Sequence, residues 1–131
     1  MIVDTSALVA ILYGEAEGDR FTEIIHGADV CRISVANFLE LSMVIEMQLG
    51  PDGTRQAETF LRRADIRIEP VTVDQGYIAR QAFFDFGKGR HKAQLNFGDC
   101  FAYALSKALE EPLLYKGADF SMTDVQAVRY I

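Results

Sequence analysis

The chain has 131 residues, 50% of them hydrophobic and 24% charged, with 10 Gly and 3 Pro, so it holds enough apolar matter for a core and is neither a disordered nor a collagen-like chain. Its 13 basic residues against 19 acidic ones give a net charge of −6, which excludes a protein that holds nucleic acid by bulk electrostatic attraction alone. Carboxylates converging on divalent cations would still admit a polyanion at one place, because bound metal cancels their charge locally.

In chain order, Ile2-Val3 predicts a short strand ending at Asp4, and Thr5 or Ser6 is expected to cap a helix through Leu12 that Gly14 closes. From Glu15 onward, Phe21, Ile24, Ile25 and Ala28 keep helical spacing, and Val30 to Ile33 reads as a second strand, with Ser34 capping the next helix. That helix, from Val35 to Leu49, is apolar nearly all round, is therefore expected to be buried, and stops at Gly50-Pro51. The fourth helix carries Ala57, Phe60, Leu61 and Ala64 on one face.

Ile66 to Val73 alternates as a strand, Asp74 is expected to cap a helix through Phe86, and Gly87 and Gly89 end it. After the basic loop Lys88-Gly89-Arg90-His91-Lys92, a helix following Gly98 places Phe101, Ala104, Leu105, Ala108 and Leu109 on its buried stripe. Leu113 to Tyr115 reads as a short strand and Val125 to Tyr130 as the last one.

This alternation predicts an α/β fold: a parallel twisted sheet of four to five strands with helices on both faces, one domain spanning 1–131, and ligands beyond the carboxyl ends of the strands. The longest unbroken apolar stretch, Ala7 to Tyr13, falls far short of the roughly 18 residues that a membrane span needs, and no leader precedes Ile2. Cys31 and Cys100 are too widely separated for a redox or zinc pair and read as reduced thiols. A cytoplasmic protein with no membrane partner is expected.

Four acids fall where this architecture gathers side chains. Asp4 closes the first strand, where an ordinary helix cap would also be well served by Asp. Glu40 has Ala36, Met43, Val44 and Met47 as its helical neighbours, a place where a bare carboxylate is costly unless it is paired or holds a metal. Asp99 opens a helix on the side away from its apolar stripe, and Asp119 follows a strand and a glycine. Taken singly, capping or turn formation explains Asp4, Asp99 and Asp119. Taken together, four hard oxygen donors at one end of the sheet suit Mg²⁺ or Mn²⁺, whereas the scattered Cys and His suit no softer ion.

The opening Met1-Ile2-Val3-Asp4-Thr5-Ser6-Ala7-Leu8, Glu40, and the run from Lys88 through Gly98-Asp99-Cys100-Phe101-Ala102-Tyr103-Ala104 to Leu113-Leu114-Tyr115-Lys116-Gly117-Ala118-Asp119-Phe120 carry a resemblance. Over essentially its full length the chain resembles the PIN-domain nucleases and, within them, the VapC-type toxins of bacterial toxin–antitoxin pairs. The resemblance implies a metal-dependent endoribonuclease with Asp4, Glu40, Asp99 and Asp119 as its acidic set. It further implies Mg²⁺ or Mn²⁺ as cofactor, RNA as substrate, a VapB-type antitoxin as partner and a homodimer. Ala118 stands where family members commonly carry a polar residue.

On the same footing, Asp124 is a supporting position, and Thr5 and Ser6 are hydroxyls that orient Asp4 or a water at the metal. Lys88, Arg90, His91 and Lys92 form the only dense basic run, which reads either as a solvated loop or as phosphate contacts. Phe21, Ile24 and Ile25 are expected to support the dimer, and a groove near the second and fourth helices to receive the antitoxin. Three alternatives stand beside this reading: a PIN-type ribonuclease without a toxin role, a metal-free ribonuclease built on His26 and His91, and a receiver-like signalling domain using Asp4, Asp74 and Lys116.

Overall fold

The computed structural model describes residues 1–130. Four short parallel strands, β1 (Ile2–Val3), β2 (Cys31–Ser34), β3 (Ile66–Glu69) and β4 (Leu113–Leu114), lie in the order β3-β2-β1-β4. Each is followed in the chain by α-helix or 3₁₀ structure: α1 (Thr5–Leu12) and α2 (Gly18–Gly27), α3 (Val35–Arg63), α4 (Val73–Phe86) and α5 (Phe97–Leu109), and a 3₁₀ turn at Phe120–Met122. The order reverses between β1 and β4, and the crevice of an open parallel sheet lies at such a reversal.

Strand alternation divides the core between the two faces. Val3, Ile33 and Leu114 point into one cluster with Leu8, Phe21, Ile25, Leu41 and Ile45. Their neighbours Ile2 and Leu113 point into the other, with Ala82, Leu95, Ala102, Tyr103, Leu105 and Phe120. Helices therefore cover both faces of β1 and β4, which are apolar on each side, whereas β2 and β3 alternate with Arg32, Arg67 and Glu69.

The caps sit slightly apart from their expected places. Asp4, rather than Thr5 or Ser6, caps α1, its Oδ2 accepting from Ser6 N at 3.0 Å. Thr72, rather than Asp74, caps α4 through its hydroxyl and Gln75 N at 3.1 Å, and Asp74 lies in the first turn. The strand expected over Ile66 to Val73 stops at Glu69, before Pro70, which has no N–H to offer a ladder. Helix α5 starts at Phe97, ahead of Gly98, because Asn96 and Asp99 form a reciprocal capping box. Val125 to Tyr130 forms no strand and makes a single bridge, Leu113 to Ala127.

Two expectations about burial are overturned. The segment Val35 to Leu49 buries only Asn37, Leu41 and Ile45, one residue per turn facing the sheet, while Leu39, Met43 and Met47 are 58%, 60% and 83% exposed. The stop expected at Gly50-Pro51 is present: Gly50 at φ 70° and ψ −166° leaves the helical conformation, Pro51 has no N–H to donate to the preceding turn, and α3 is two helices meeting at this kink, a conformation only glycine enters without strain. At the end of α5, Ala108 and Leu109 lie outside the buried stripe, and Tyr103 and Ser106 lie inside it.

Candidate active site

The carboxyl ends of the strands deliver three of the four acids. Asp4 follows β1 directly, Glu40 stands in the second turn of α3 after β2, and Asp119 follows β4 across the Gly117 turn. Asp99 arrives from the first turn of α5, whose start the Asn96 capping box pins. Asp4 is only 4% exposed, and burial, followed by repulsion from Asp99 and Glu40, pushes its carboxyl up to about 7 although the Ser6 N–H favours the charged form. Burial pushes Asp99 up to about 6, with Glu40 and Asp119 adding repulsion and the Asn96 N–H opposing it. The four acids thus share one electrostatic neighbourhood with no cationic side chain among the causes that shift either group.

Glu40 is held in place by polar neighbours. Its Oε1 accepts from Thr5 Oγ1 at 2.5 Å and from Asn37 Nδ2 at 3.3 Å. The same Asn37 amide donates to the Gly98 carbonyl at 2.9 Å, so one side chain joins α3 to the start of α5. Asn37 is fully buried, and its Oδ1 is the buried side-chain polar atom left without a partner among the described residues. Gly98 is required by proximity: a Cβ there would run into the Glu40 carboxylate.

The two hydroxyls beside Asp4 divide their work. Thr5 donates to Glu40 rather than to Asp4, while Ser6 favours the charged form of Asp4 through both its hydroxyl and its backbone N–H. Ser6 Oγ accepts from Lys116 N at 3.0 Å, and Lys116 Nζ pairs with Glu15 at 2.5 Å and Glu17 at 3.2 Å. These contacts tie the segment leading to Asp119 onto the loop between α1 and α2. They also take Lys116 out of any receiver-like role, and Asp74 is exposed on α4 rather than gathered with Asp4.

Asp124 is not brought into this group. Its Oδ1 accepts from Tyr103 Oη at 2.5 Å and its Oδ2 pairs with Lys107 Nζ at 3.0 Å, farther along α5. His91 is a turn residue, its Nδ1 accepting from Ala93 N at 3.0 Å and its ring edge-on to Phe86. His26 lies on α2 against Phe60, so no pair of imidazoles converges. Lys88, Arg90 and Lys92 are exposed on the loop preceding α5, without ion-pair partners among the described residues.

The donor chemistry is that of a hard divalent cation, since the four acids offer only carboxylate oxygens. Among the described residues no three acids, imidazoles or thiols stand close enough to form a ready-made cage. Sequence reasoning missed Asn37 and the reason for Gly98. The one available signal was Asn37 itself, an amide one turn before Glu40 in an otherwise apolar helix.

Comparison with known proteins locates the chain among relatives. The PIN domain family matches residues 1–126. The chain is 44% identical over 128 residues to Ribonuclease VapC30 of Mycobacterium tuberculosis, covering 98% of each chain. It is 45% identical over 128 residues to Ribonuclease VapC of Mycolicibacterium smegmatis, covering 98% of this chain and 99% of the other. Its fold is similar to crystal structures of Mycobacterium tuberculosis VapC20, a Sarcin-Ricin loop cleaving toxin (TM-score 0.78, 21% identity, 98% of both chains), and of Rickettsia felis VapBC2 bound to promoter DNA (TM-score 0.76, 12% identity, 98% of this chain and 96% of the other).

Proposed function

The chain belongs to the PIN domain family and, within it, to the VapC ribonucleases, and from that membership we propose that it is the toxin of a VapBC-type pair, a divalent-metal-dependent endoribonuclease acting in the cytoplasm. One domain spanning the chain is in keeping with the family match over residues 1–126. The observation that carries this reading is the acidic cleft: Asp4, Glu40, Asp99 and Asp119 from four segments, two of them pushed up toward neutrality by burial and each other.

Mg²⁺ or Mn²⁺, when bound, supplies Lewis acidity toward water and phosphodiester and cancels the carboxylate charge that would repel RNA. Asp4, Glu40, Asp99 and Asp119 would hold the ion. Thr5 and Asn37 fix Oε1 of Glu40, which leaves Oε2 with no hydrogen-bond partner among the described residues and free for the ion or its water. Ser6 positions the Asp119 segment through Lys116. Burial favours the protonated forms of Asp4 and Asp99, so an ion held there would be favoured by rising pH. Lys88, Arg90 and Lys92 meet the phosphates, and His91 keeps their turn in shape.

Two partners follow from the surfaces. The exposed row Leu39, Met43 and Met47 on α3 is the contact for a second copy; Phe21 and Ile25 are excluded from that role because they are buried in the core. A cavity of about 710 Å³ lined by Leu12, Thr22, His26, Arg55, Phe60 and Arg63, between α2 and the second half of α3, receives the VapB-type antitoxin. An arginine of that antitoxin laid against the acids would inhibit by displacing the ion.

Cleavage of single-stranded RNA should vanish in EDTA and return with Mg²⁺ or Mn²⁺, while Ca²⁺ should bind with little turnover. Asp99→Asn should lose metal binding, read by calorimetry, together with cleavage. Full activity in excess EDTA would defeat the proposal, as would chemistry lost in His91→Ala with metal binding intact. Light scattering should report a dimer that Met43→Glu dissociates.

A further inference from the structure

The exposed side of α4 has a composition that neither core packing nor the acidic cleft uses. Tyr77 is 60% exposed and Phe84 46% exposed, with Phe83 beside them, and two guanidinium groups lie between the rings. Arg80 Cζ stands 5.0 Å from the Tyr77 centroid and 5.7 Å from that of Phe84. Arg90 Cζ stands 5.8 Å from Phe84 and 5.9 Å from Phe83, and its Nε donates to the Phe84 carbonyl at 3.2 Å. The result is a row of aromatic faces and planar cations held by one another.

Neither arginine pairs with a carboxylate among the described residues. Asp85, on the same helix, accepts from Gln81 instead, at 3.0 Å. The Arg80 guanidinium and the terminal donors of Arg90 therefore remain available.

This face leads to the acids. Behind it, Gly76, Ala79, Arg80, Phe83, Phe97 and Phe101 line an apolar cavity of about 350 Å³ between α4 and α5. Phe97 and Phe101, packed edge to face at 4.8 Å, also line the hollow on their other side that contains Glu40 and Gly98. One aromatic pair is thus the shared wall between the α4 face and the mostly apolar hollow that holds Glu40, with Phe97 81% exposed upon it.

We propose that the face of α4 from Tyr77 to Phe84, with Arg90, is a stacking platform for unpaired bases of the RNA strand that enters the acidic cleft, a proposal that rests on the ribonuclease reading above. The chemistry of the row matches that occupant: rings and guanidinium planes accept base faces, and the free guanidinium donors meet the phosphates between them. A paired RNA helix offers no exposed base faces, so the platform selects single-stranded or looped segments.

The test measures binding of a short unstructured RNA, and of the same RNA with single abasic sites stepped along it, by anisotropy at one fixed ionic strength in Ca²⁺. Phe84→Ala should weaken binding of the intact RNA by about tenfold to a hundredfold. On wild type, an abasic site at the contacted position should cause a comparable loss, and that abasic RNA should not distinguish Phe84→Ala from wild type. Phe84→Trp should restore affinity, and Arg80→Lys, with its charge kept and its plane lost, should fall between. Tyr77→Ala serves as an independent variant should Phe84→Ala melt early. Equal affinity of wild type and variants for intact RNA, or abasic losses that simply add to those of the variants, would overturn the proposal. So would a fall in light-scattering mass on Phe84→Ala with abasic losses unchanged, which would make the face a contact between copies. If wild type cuts RNA with Mg²⁺ but shows none of this coupling, only the platform falls. If wild type neither binds nor cuts RNA, the ribonuclease reading falls and the platform with it.

Discussion

Asp4→Asn should stabilise the metal-free protein, by an amount set by the position of the group. Asp4 is 4% exposed, and its carboxyl is pushed from 3.8 up to about 7, so at pH 8 the folded chain carries a charge that the unfolded chain accommodates far more easily. At about 1.4 kcal/mol per pH unit of displacement, holding that charge costs the native state about 4 kcal/mol. The sign is that of an acid whose folded value is raised: the native state binds the extra proton, so stability falls as pH rises from about 4 toward about 7. Asn removes the charge and still caps α1, since Asn and Asp are equivalent N-caps and the bond to Ser6 N survives. For a domain of this size the melting temperature in EDTA at pH 8 should rise by roughly 10 °C or more. At pH 5 the wild type holds its proton and the gain should shrink to about 1.5 kcal/mol. Saturating Mn²⁺ should raise the wild type and leave the variant behind, reversing the order. Equal or lower melting of Asp4→Asn in EDTA at pH 8, or a gain that does not depend on pH, would refute the reasoning.

Three further variants probe the same cleft. Glu40→Gln should abolish cleavage while leaving the melting temperature equal or raised, because one of the crowded charges is relieved; unchanged activity would remove Glu40 from the site. Gly98→Ala drives a methyl group into the Glu40 carboxylate and should lower cleavage by about a hundredfold, with intact circular dichroism; near-normal activity would show that Glu40 can move without consequence. Asp124→Asn loses its pairing with Lys107 and should leave cleavage unchanged, whereas loss of metal binding in that variant would return Asp124 to the site.

The elements of the fold were legible because local rules decide them. Apolar pairs at Ile2-Val3 and Leu113-Leu114, each ahead of a polar or glycine-containing segment, can only be short buried strands, and Gly50-Pro51 marks the bend in α3. Element ends were less legible, since a cap is chosen by which side chain reaches an N–H. Thr72 won that competition over Asp74, and Asn96, in a reciprocal box with Asp99, starts α5 ahead of Gly98, by geometry that composition does not encode. Burial of α3 was misjudged for a different reason. Leu39, Met43 and Met47 are as apolar as Leu41 and Ile45, but only one side of the helix meets the sheet, and what covers the other side is not written within the helix.

The site divides along the same line. Asp4, Glu40, Asp99 and Asp119 stood out because each is a charge in a position that packing disfavours or a strand end exposes, and long-range structure only had to bring them together. Gly98 breaks no local rule and Asn37 signals only an amide on an apolar helix, so their roles appear only when α3 and α5 meet. Asn37 reaches across to the Gly98 carbonyl while also holding Glu40, and Gly98 lacks a side chain where the Glu40 carboxylate lies. A carboxylate announces itself in sequence through the cost of burying it; the neutral groups that hold it become visible only from their contacts. The acids of this cleft are therefore readable one by one, but the amide that joins Glu40 to the start of α5 is not, and Asn37, fully buried with its Oδ1 unpartnered among the described residues, is where α3 and α5 are tied beside them.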